Sequence, residues 1–393
     1  MRGKNAFEEA CHLAGTCCGL GSQVVVNAIE AIQSSESGGY STIRKPKSSG
    51  GVRILHEPCE DLKIVQSGML FFFYRWSTDN RMFGFQPGRS PIDNARFHIT
   101  IPNRYNPKKV IGYQVPRWIL TVDLKDFFPS VTSQLLERMY RTMFKPERLI
   151  GYKGLKESEV PAIYEEFIRL MLLLTTHQGR LPQGAPTSPY LANLALASTG
   201  TLQRIEGLCK SRRTREAFRF SIYADDITIS SRKDKISDRF IRQLITVIEQ
   251  DGIFTVNYKK IRRNSCKYKA HQITGVVLTT DRKGRARLTL AQKTLKTLRG
   301  RVHRLRIQLR QAETDGVDFG ELNQVIGHIN WLRGVCQGCS LPSAVRDEVF
   351  AFREEWRDYK GRRKAAYYQT LRELEAFLRQ LAIRQDQEET QRE

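Results

Sequence analysis

The stretch "SIYADDITISSR", residues 221–232, limits what this chain can fold into more than any other. Alternating apolar and polar residues on either side predict two strands, "AFRFSIY" and "ITISS", meeting at a bend, "ADD". Asp is a common turn residue, and an ordinary Asp pair at a bend is simply solvated. Here both flanks are half-buried strands, so Asp225 and Asp226 would project from a rigid sheet edge. Carboxylates held that close repel one another unless a cation neutralises them.

A third acid has a matching setting. Asp123 ends the apolar run "WILTVD" and also passes from a buried strand into a turn. If the two strands are sheet neighbours, Asp123, Asp225 and Asp226 converge as hard oxygen ligands suited to Mg²⁺ or Mn²⁺. Two such ions would activate an attacking hydroxyl and stabilise a leaving pyrophosphate, which is nucleotidyl transfer. Between these acids lies "LPQGAPTSP", a glycine turn into a helix with Thr187 or Ser188 as N-cap and Pro189 as the first helical residue. Upstream, "KPKSSGGVRIL" reads as a hairpin with Lys45, Lys47 and Arg53 around a glycine-rich tip. Such a tip is either a solvated turn or a phosphate contact.

Composition then narrows the partner. Lys and Arg number 64 against 41 Asp and Glu, a net charge of +23, which calls for a polyanion, with nucleic acid favoured over an anionic membrane surface. No apolar run is long enough to span a bilayer and the first residues lack an apolar leader, so a cytoplasmic protein without membrane contact is expected. The eight cysteines are scattered and read as reduced thiols. Cys336 and Cys339 form a CxxC that could supply half of a zinc site, but the adjacent Cys17 and Cys18 make a poor second half. Buried helix is expected over 60–80, and helices near 131–144, 161–176 and 235–250. A proline-broken basic connection covers 99–117, strands lie near 271–278 and 285–290, and long Arg-rich helices follow 291.

Taken in order, "LTVDLKDFFPSV", "LPQGAPTSPYLANL" and "YADD" resemble motifs A, B and C of reverse transcriptases, over about residues 40–290. The resemblance implies an α+β right-hand polymerase. Its parts would be an N-terminal helical segment (1–40), fingers (41–118), a palm with an antiparallel sheet (119–290, with a fingers-type helical insertion at about 140–182), and a helical thumb and C-terminal extension (291–393). By motif, Asp123, Asp225 and Asp226 would ligate two Mg²⁺ or Mn²⁺ ions, with the Leu124 carbonyl as a further ligand. Phe128 matches the aromatic gate that excludes a ribose 2′-hydroxyl, its alternative being core packing beside Phe127. Asp126 would lie near the sugar or triphosphate, Gln183 and Gly184 near incoming nucleotide and template, and Lys47 and Arg53 on the triphosphate. Lys260, with Lys259 as a rival, matches the lysine that protonates pyrophosphate.

"DNARFH" supplies Asn94 and His98 in an NAxxH pattern, and "HQITGVVL" supplies Thr274 and Gly275 in a VTG-like pattern with Ile273 for valine. Both resemble bacterial retron enzymes and mark residues for RNA binding or for the retron motif. That resemblance implies dNTP substrates and a cognate structured noncoding RNA that serves as primer and template, yielding a branched RNA–DNA hybrid. It also implies antiphage defence with an accessory effector, and a host RNase H for template removal. The rivals are a defence-associated enzyme outside the retrons, a group II intron enzyme, and a noncatalytic RNA-binding scaffold.

Overall fold

A computed structural model of the chain describes residues 5–46, 50–103, 106, 109–149, 155–210, 218–266, 270–311, 318–336 and 341–362. Asn5 starts α1 (Ala6–Cys18) by accepting from the Phe7 N–H, and Gly19, at φ 68°, ends it. The pattern "SQVVVNAIEAIQ" forms α2 (Ser22–Ser34). Strands β1 (Tyr40–Pro46) and β2 (Val52–Pro58) pair as an antiparallel hairpin that sets Lys45 opposite Arg53. Next come α3 (Glu60–Phe73), α4 (Pro91–Ile99), and a short ribbon of β3 (Thr100–Pro102) with β4 (Val110–Tyr113) where only a broken connection was expected.

The apolar run around Asp123 is β5 (Trp118–Lys125), followed by α5 (Phe127–Ser130), α6 (Ser133–Met143), α7 (Val160–Thr175), α8 (Ser188–Ser198) and α9 (Thr201–Cys209). Pro189 sits in the first turn of α8, although the Thr187 side chain makes no capping bond. The predicted hairpin is β6 (Arg219–Tyr223) and β7 (Asp226–Ser231). Then come α10 (Asp238–Glu249), β8 (Thr255–Val256) and β9 (Arg262–Ser265). The strand expected over 271–278 is instead a hairpin, β10 (His271–Ile273) and β11 (Val276–Thr280), extended by β12 (Ala286–Thr289). Three helices close the described chain: α11 (Gln292–Gln311), α12 (Phe319–Val335) and α13 (Ser343–Arg362). The expected helix "AAYYQTLRELEAFLRQLAIRQ" and Cys339 lie outside the described residues.

The chain divides into two compact units, with cuts after residues 90, 117 and 263. The first joins Met1–Ser90 with Trp118–Arg263. Its sheet runs β6-β7-β5-β8, with β9 also pairing β5, and a single apolar core joins the sheet to α1–α3 and α6–α10. On α10 the residues Phe240, Leu244 and Ile248 recur four apart and are buried, which is the amphipathic face expected of that helix. The second unit joins Pro91–Arg117 with Asn264–Glu393: α4 packs on β10, β11 and β12, and α11 packs along α13, where Arg306 bridges Glu348 and Glu355. Among the described residues, no helix is long and apolar enough to cross a membrane.

Candidate active site

Ile119, Leu120, Val122 and Leu124 bury β5 almost throughout, and so carry Asp123 into the interior, where it is 6% exposed. The β5–β7 register places Asp226 directly opposite Asp123, and the β6–β7 register places Tyr223 opposite Asp226. Ala224 and Asp225 are therefore the two-residue loop of the hairpin, and Ala224 takes the left-handed backbone, φ 57°, typical of the tight turns that match strand twist. The Leu124 N–H donates to the Asp225 carbonyl at 2.8 Å, tying that loop to β5. The three acids expected to converge occupy one end of three adjacent strands.

Their electrostatics follow from that crowding. Burial, then the neighbouring Asp225 and Asp123, pushes the Asp226 carboxyl up to about 6. Burial and then Asp123 also raise Asp225, against the opposing pull of Lys260 and Arg53. Lys260 Nζ donates to Asp123 Oδ2 at 2.7 Å, and this bond is the main cause holding its ammonium above the usual lysine range. The backbone aims it: the Asn257 N–H donates to the Asp123 carbonyl (2.8 Å), and a tight turn over Tyr258–Lys260 brings the lysine back. Among the described residues Lys260, not Lys259, reaches the acids.

No three His, Cys, Asp or Glu side chains form a ready-made metal cage among the described residues, neither here nor around buried Cys336. The donor set still fits a hard divalent cation. It is all oxygen, it is partly buried, its members repel one another, and a lysine supplies the compensating positive charge. Leu124, expected to add a carbonyl, is buried at the ladder position opposite Val256.

Around the acids, the paired phenylalanines separate by burial. Phe127 is 3% exposed and packs on Phe254, whereas Phe128 is half-buried, its ring 5.7 Å from Phe127 and 5.9 Å from Phe85. Asp126, at φ 47°, is exposed and makes no side-chain cap to α5. Gln183 accepts through its carbonyl from the His56 N–H at 2.7 Å, which docks β2 onto the glycine turn. Gly184 permits this approach: a Cβ there would lie 2.6 Å from the His56 carbonyl oxygen, and its φ is +131°. Arg53 is exposed on β2 and its charge lowers the Asp225 carboxyl, while Lys45 faces it across the hairpin. Lys47 lies outside the described residues.

Several participants carry no recognisable sequence signal. Gly84 lies so near the acid-bearing loop that a Cβ would meet the Ala224 nitrogen at 2.4 Å, and buried Asn193 donates to the Gly84 carbonyl at 2.7 Å. The segment "FGFQPG" betrays Gly84 only through its glycines and aromatics. The NAxxH and VTG-like residues meet in the second unit. Asn94 and His98 are fully buried on α4, and neither amide atom of Asn94 has a hydrogen-bond partner among the described residues. Thr274 and Gly275 form the β10–β11 turn at φ 47° and 83°, and the Thr274 hydroxyl donates to the Pro91 carbonyl (3.1 Å) at the start of α4. Buried Asn94 and His98 thus lie on a helix to which the turn is directly bonded.

Residues 43–278 match the family Reverse transcriptase (RNA-dependent DNA polymerase). The chain is 31% identical over 249 residues to the retron Mx65 reverse transcriptase of Myxococcus xanthus, a match covering 61% of this chain and 51% of that one. It is 25% identical to the retron Ec86 reverse transcriptase of Escherichia coli, covering 67% of this chain and 68% of the relative. The match therefore spans about half the length of the Mx65 relative. Among solved structures, telomerase from Candida albicans in complex with a fragment of telomeric RNA aligns with a TM-score of 0.41 at 11% identity, covering 86% of this chain and 59% of that one. With its ordered motifs, antiparallel carboxylate sheet and matched length, the chain belongs to the reverse transcriptase (RNA-dependent DNA polymerase) family and is a right-hand polymerase in fold.

Proposed function

We propose that the chain copies RNA into DNA, adding dNTPs to a primer annealed on an RNA template. The observation that carries this reading is the register that faces Asp123 with Asp226 while Asp225 occupies the adjoining loop. Those carboxylates would hold two divalent ions, Mg²⁺ by preference or Mn²⁺, which would activate the primer hydroxyl and stabilise developing phosphate charge. In each addition the primer oxygen forms a bond to the α-phosphorus, the bond to the bridging oxygen breaks, and pyrophosphate leaves. Lys260 holds a proton at Nζ for that leaving group. Arg53, with Lys45 across the hairpin, would neutralise the triphosphate, joined by Lys47 if the motif match holds. Phe128 would meet the sugar where a 2′-hydroxyl would collide, Asp126 would sit close to sugar and triphosphate, and the docked Gln183–Gly184 turn would sit against template and nucleotide.

The retron relatives support a finer reading. The template and primer would be a cognate structured RNA with a guanosine 2′-hydroxyl as the starting point, the product a branched RNA–DNA hybrid, and the setting antiphage defence with an effector protein. Sequencing nucleic acid copurified with the chain separates this from a reverse transcriptase acting on other templates. Primer extension on poly(rA)/oligo(dT) with dTTP and Mg²⁺ tests the activity itself. Asp225→Asn with Asp226→Asn is expected to abolish extension and leave RNA retention on a filter nearly unchanged. Undiminished extension removes the carboxylates from catalysis, and RNA binding without extension by the native chain supports a noncatalytic scaffold.

A further inference from the structure

Phe85 combines two properties that rarely coincide. Its backbone is left-handed at φ 59°, a conformation bulky side chains avoid, and its ring remains 38% exposed. Burial does not explain the strain, because a phenylalanine held for cover would be deeper than 38% exposed. The loop is nonetheless held firmly. The Phe83 N–H donates to the Ile222 carbonyl (2.7 Å) and the Ile222 N–H to the Arg81 carbonyl (2.8 Å), adding the loop as a parallel edge beside β6. Asn193 holds the Gly84 carbonyl, and Gly84 abuts Ala224 of the acid-bearing turn. Arg89 lies over the Phe83 ring at 4.8 Å and donates to the Asn80 carbonyl at 2.9 Å. What this clamped loop presents is one ring, set 5.9 Å from Phe128 and tilted 47° to it.

Phe128 has its buried neighbour Phe127 on one side, so Phe85 is the second ring against which it can lean. We infer that Phe85 is a positioning residue for sugar discrimination: it backs the Phe128 ring and fixes how far that ring stands toward the sugar of an incoming nucleotide. The inference rests on the polymerase reading and on Phe128 as the gate. A half-exposed phenylalanine can swing between rotamers, and a gate that swings admits the extra hydroxyl. A rigid second wall removes that freedom, which explains why strain is tolerated there and why the residue before it is a glycine held by a buried asparagine.

The test measures kcat/KM for dGTP and GTP on poly(rC)/oligo(dG) with the full chain and Mg²⁺, together with thermal melting. Phe85→Ala is expected to lower the dGTP:GTP ratio by about tenfold, mainly through better use of GTP, while Phe85→Tyr keeps the native ratio. Phe85→Gly also relieves the left-handed strain, so it should melt at or above the native temperature and still lose discrimination, an outcome a merely structural role would not produce. Because Phe85 acts through Phe128, combining Phe85→Ala with Phe128→Ala should cost no more discrimination than Phe128→Ala alone. A native ratio in Phe85→Ala and Phe85→Gly, with Phe128→Ala relaxed, overturns the role of Phe85. A native ratio in Phe128→Ala as well means the gate reading has failed, and full additivity of the two changes shows that Phe85 does not act through Phe128.

Discussion

Of the four described non-glycine residues of the first unit with left-handed backbone, Phe85, Asp126 and Ala224 lie within a residue or two of Phe128 or Asp225 in sequence or touch them in space, and Gln178 is the fourth. Strain of this kind persists only where surroundings over-determine it, and here they do so around the carboxylates. Asp123, Asp225 and Asp226 were legible from sequence because a charge that ends an apolar alternating strand is conspicuous. Phe85, Gly84 and Asn193 were not, since their places depend on contacts with β6, α5 and the acid-bearing loop that no local pattern encodes. Phe127 and Phe128 stood as an ambiguous pair until burial separated them. Gly184 gives the sharpest single-residue prediction. Gly184→Ala places a methyl against the His56 carbonyl at a strained φ, so it should destabilise the chain by about 1 to 3 kcal/mol and reduce extension more than RNA binding. Thermal melting beside the extension assay checks this.

At the scale of elements, the hairpin β1–β2 is fixed at its base by a small aromatic cluster. The His177 ring lies 4.6 Å from Tyr40 and 4.8 Å from His56, and Gln66 bonds both the Tyr40 hydroxyl and the Leu174 carbonyl at 2.8 Å. Burial, then the adjacent His56, lowers the His177 pKa below the usual histidine value. A depressed folded pKa means that the unfolded chain takes up the proton first as pH falls. The stabilisation is therefore complete above the unfolded value and disappears as pH drops through the folded one. Melting temperature followed from about pH 8 down to about pH 5 should fall less steeply in His177→Gln than in the native chain, and identical slopes would exclude His177 as the sensor. The strands β5, β6 and β7 and the helix α10 were legible from their periods. The break of 271–278 into two strands was hidden because Thr274, being β-branched, is a poor candidate for a left-handed turn, and only its bond to Pro91 shows what holds it there.

For the molecule as a whole, the second unit is built from two stretches far apart in the chain, Pro91–Arg117 and Asn264–Glu393. That pairing rests on α4 packing against β10–β12, a long-range contact that composition shifts do not announce. Net charge, by contrast, was legible throughout, and at +23 the proposed binding of RNA would depend on ionic strength. Filter binding of a labelled RNA stem-loop should weaken by at least about tenfold between roughly 0.05 M and 0.2 M KCl, and a salt-independent affinity would mean that phosphate neutralisation is not what holds the RNA.

The split second unit also sets an order of events on the ribosome. Residues 91–117 leave the exit tunnel early, but the strands that cover α4 are still untranslated until past residue 289. At ordinary elongation rates that is a wait of roughly 10 to 30 seconds, during which the buried face of α4, with Asn94, Ala95 and His98, has no native cover. The first unit is fully translated in the interval, since its last residue is Arg263. A nascent chain stalled near residue 265 would thus carry every carboxylate of the candidate active site while the helix bearing the NAxxH residues remained uncovered, and that helix would be the natural target for a chaperone.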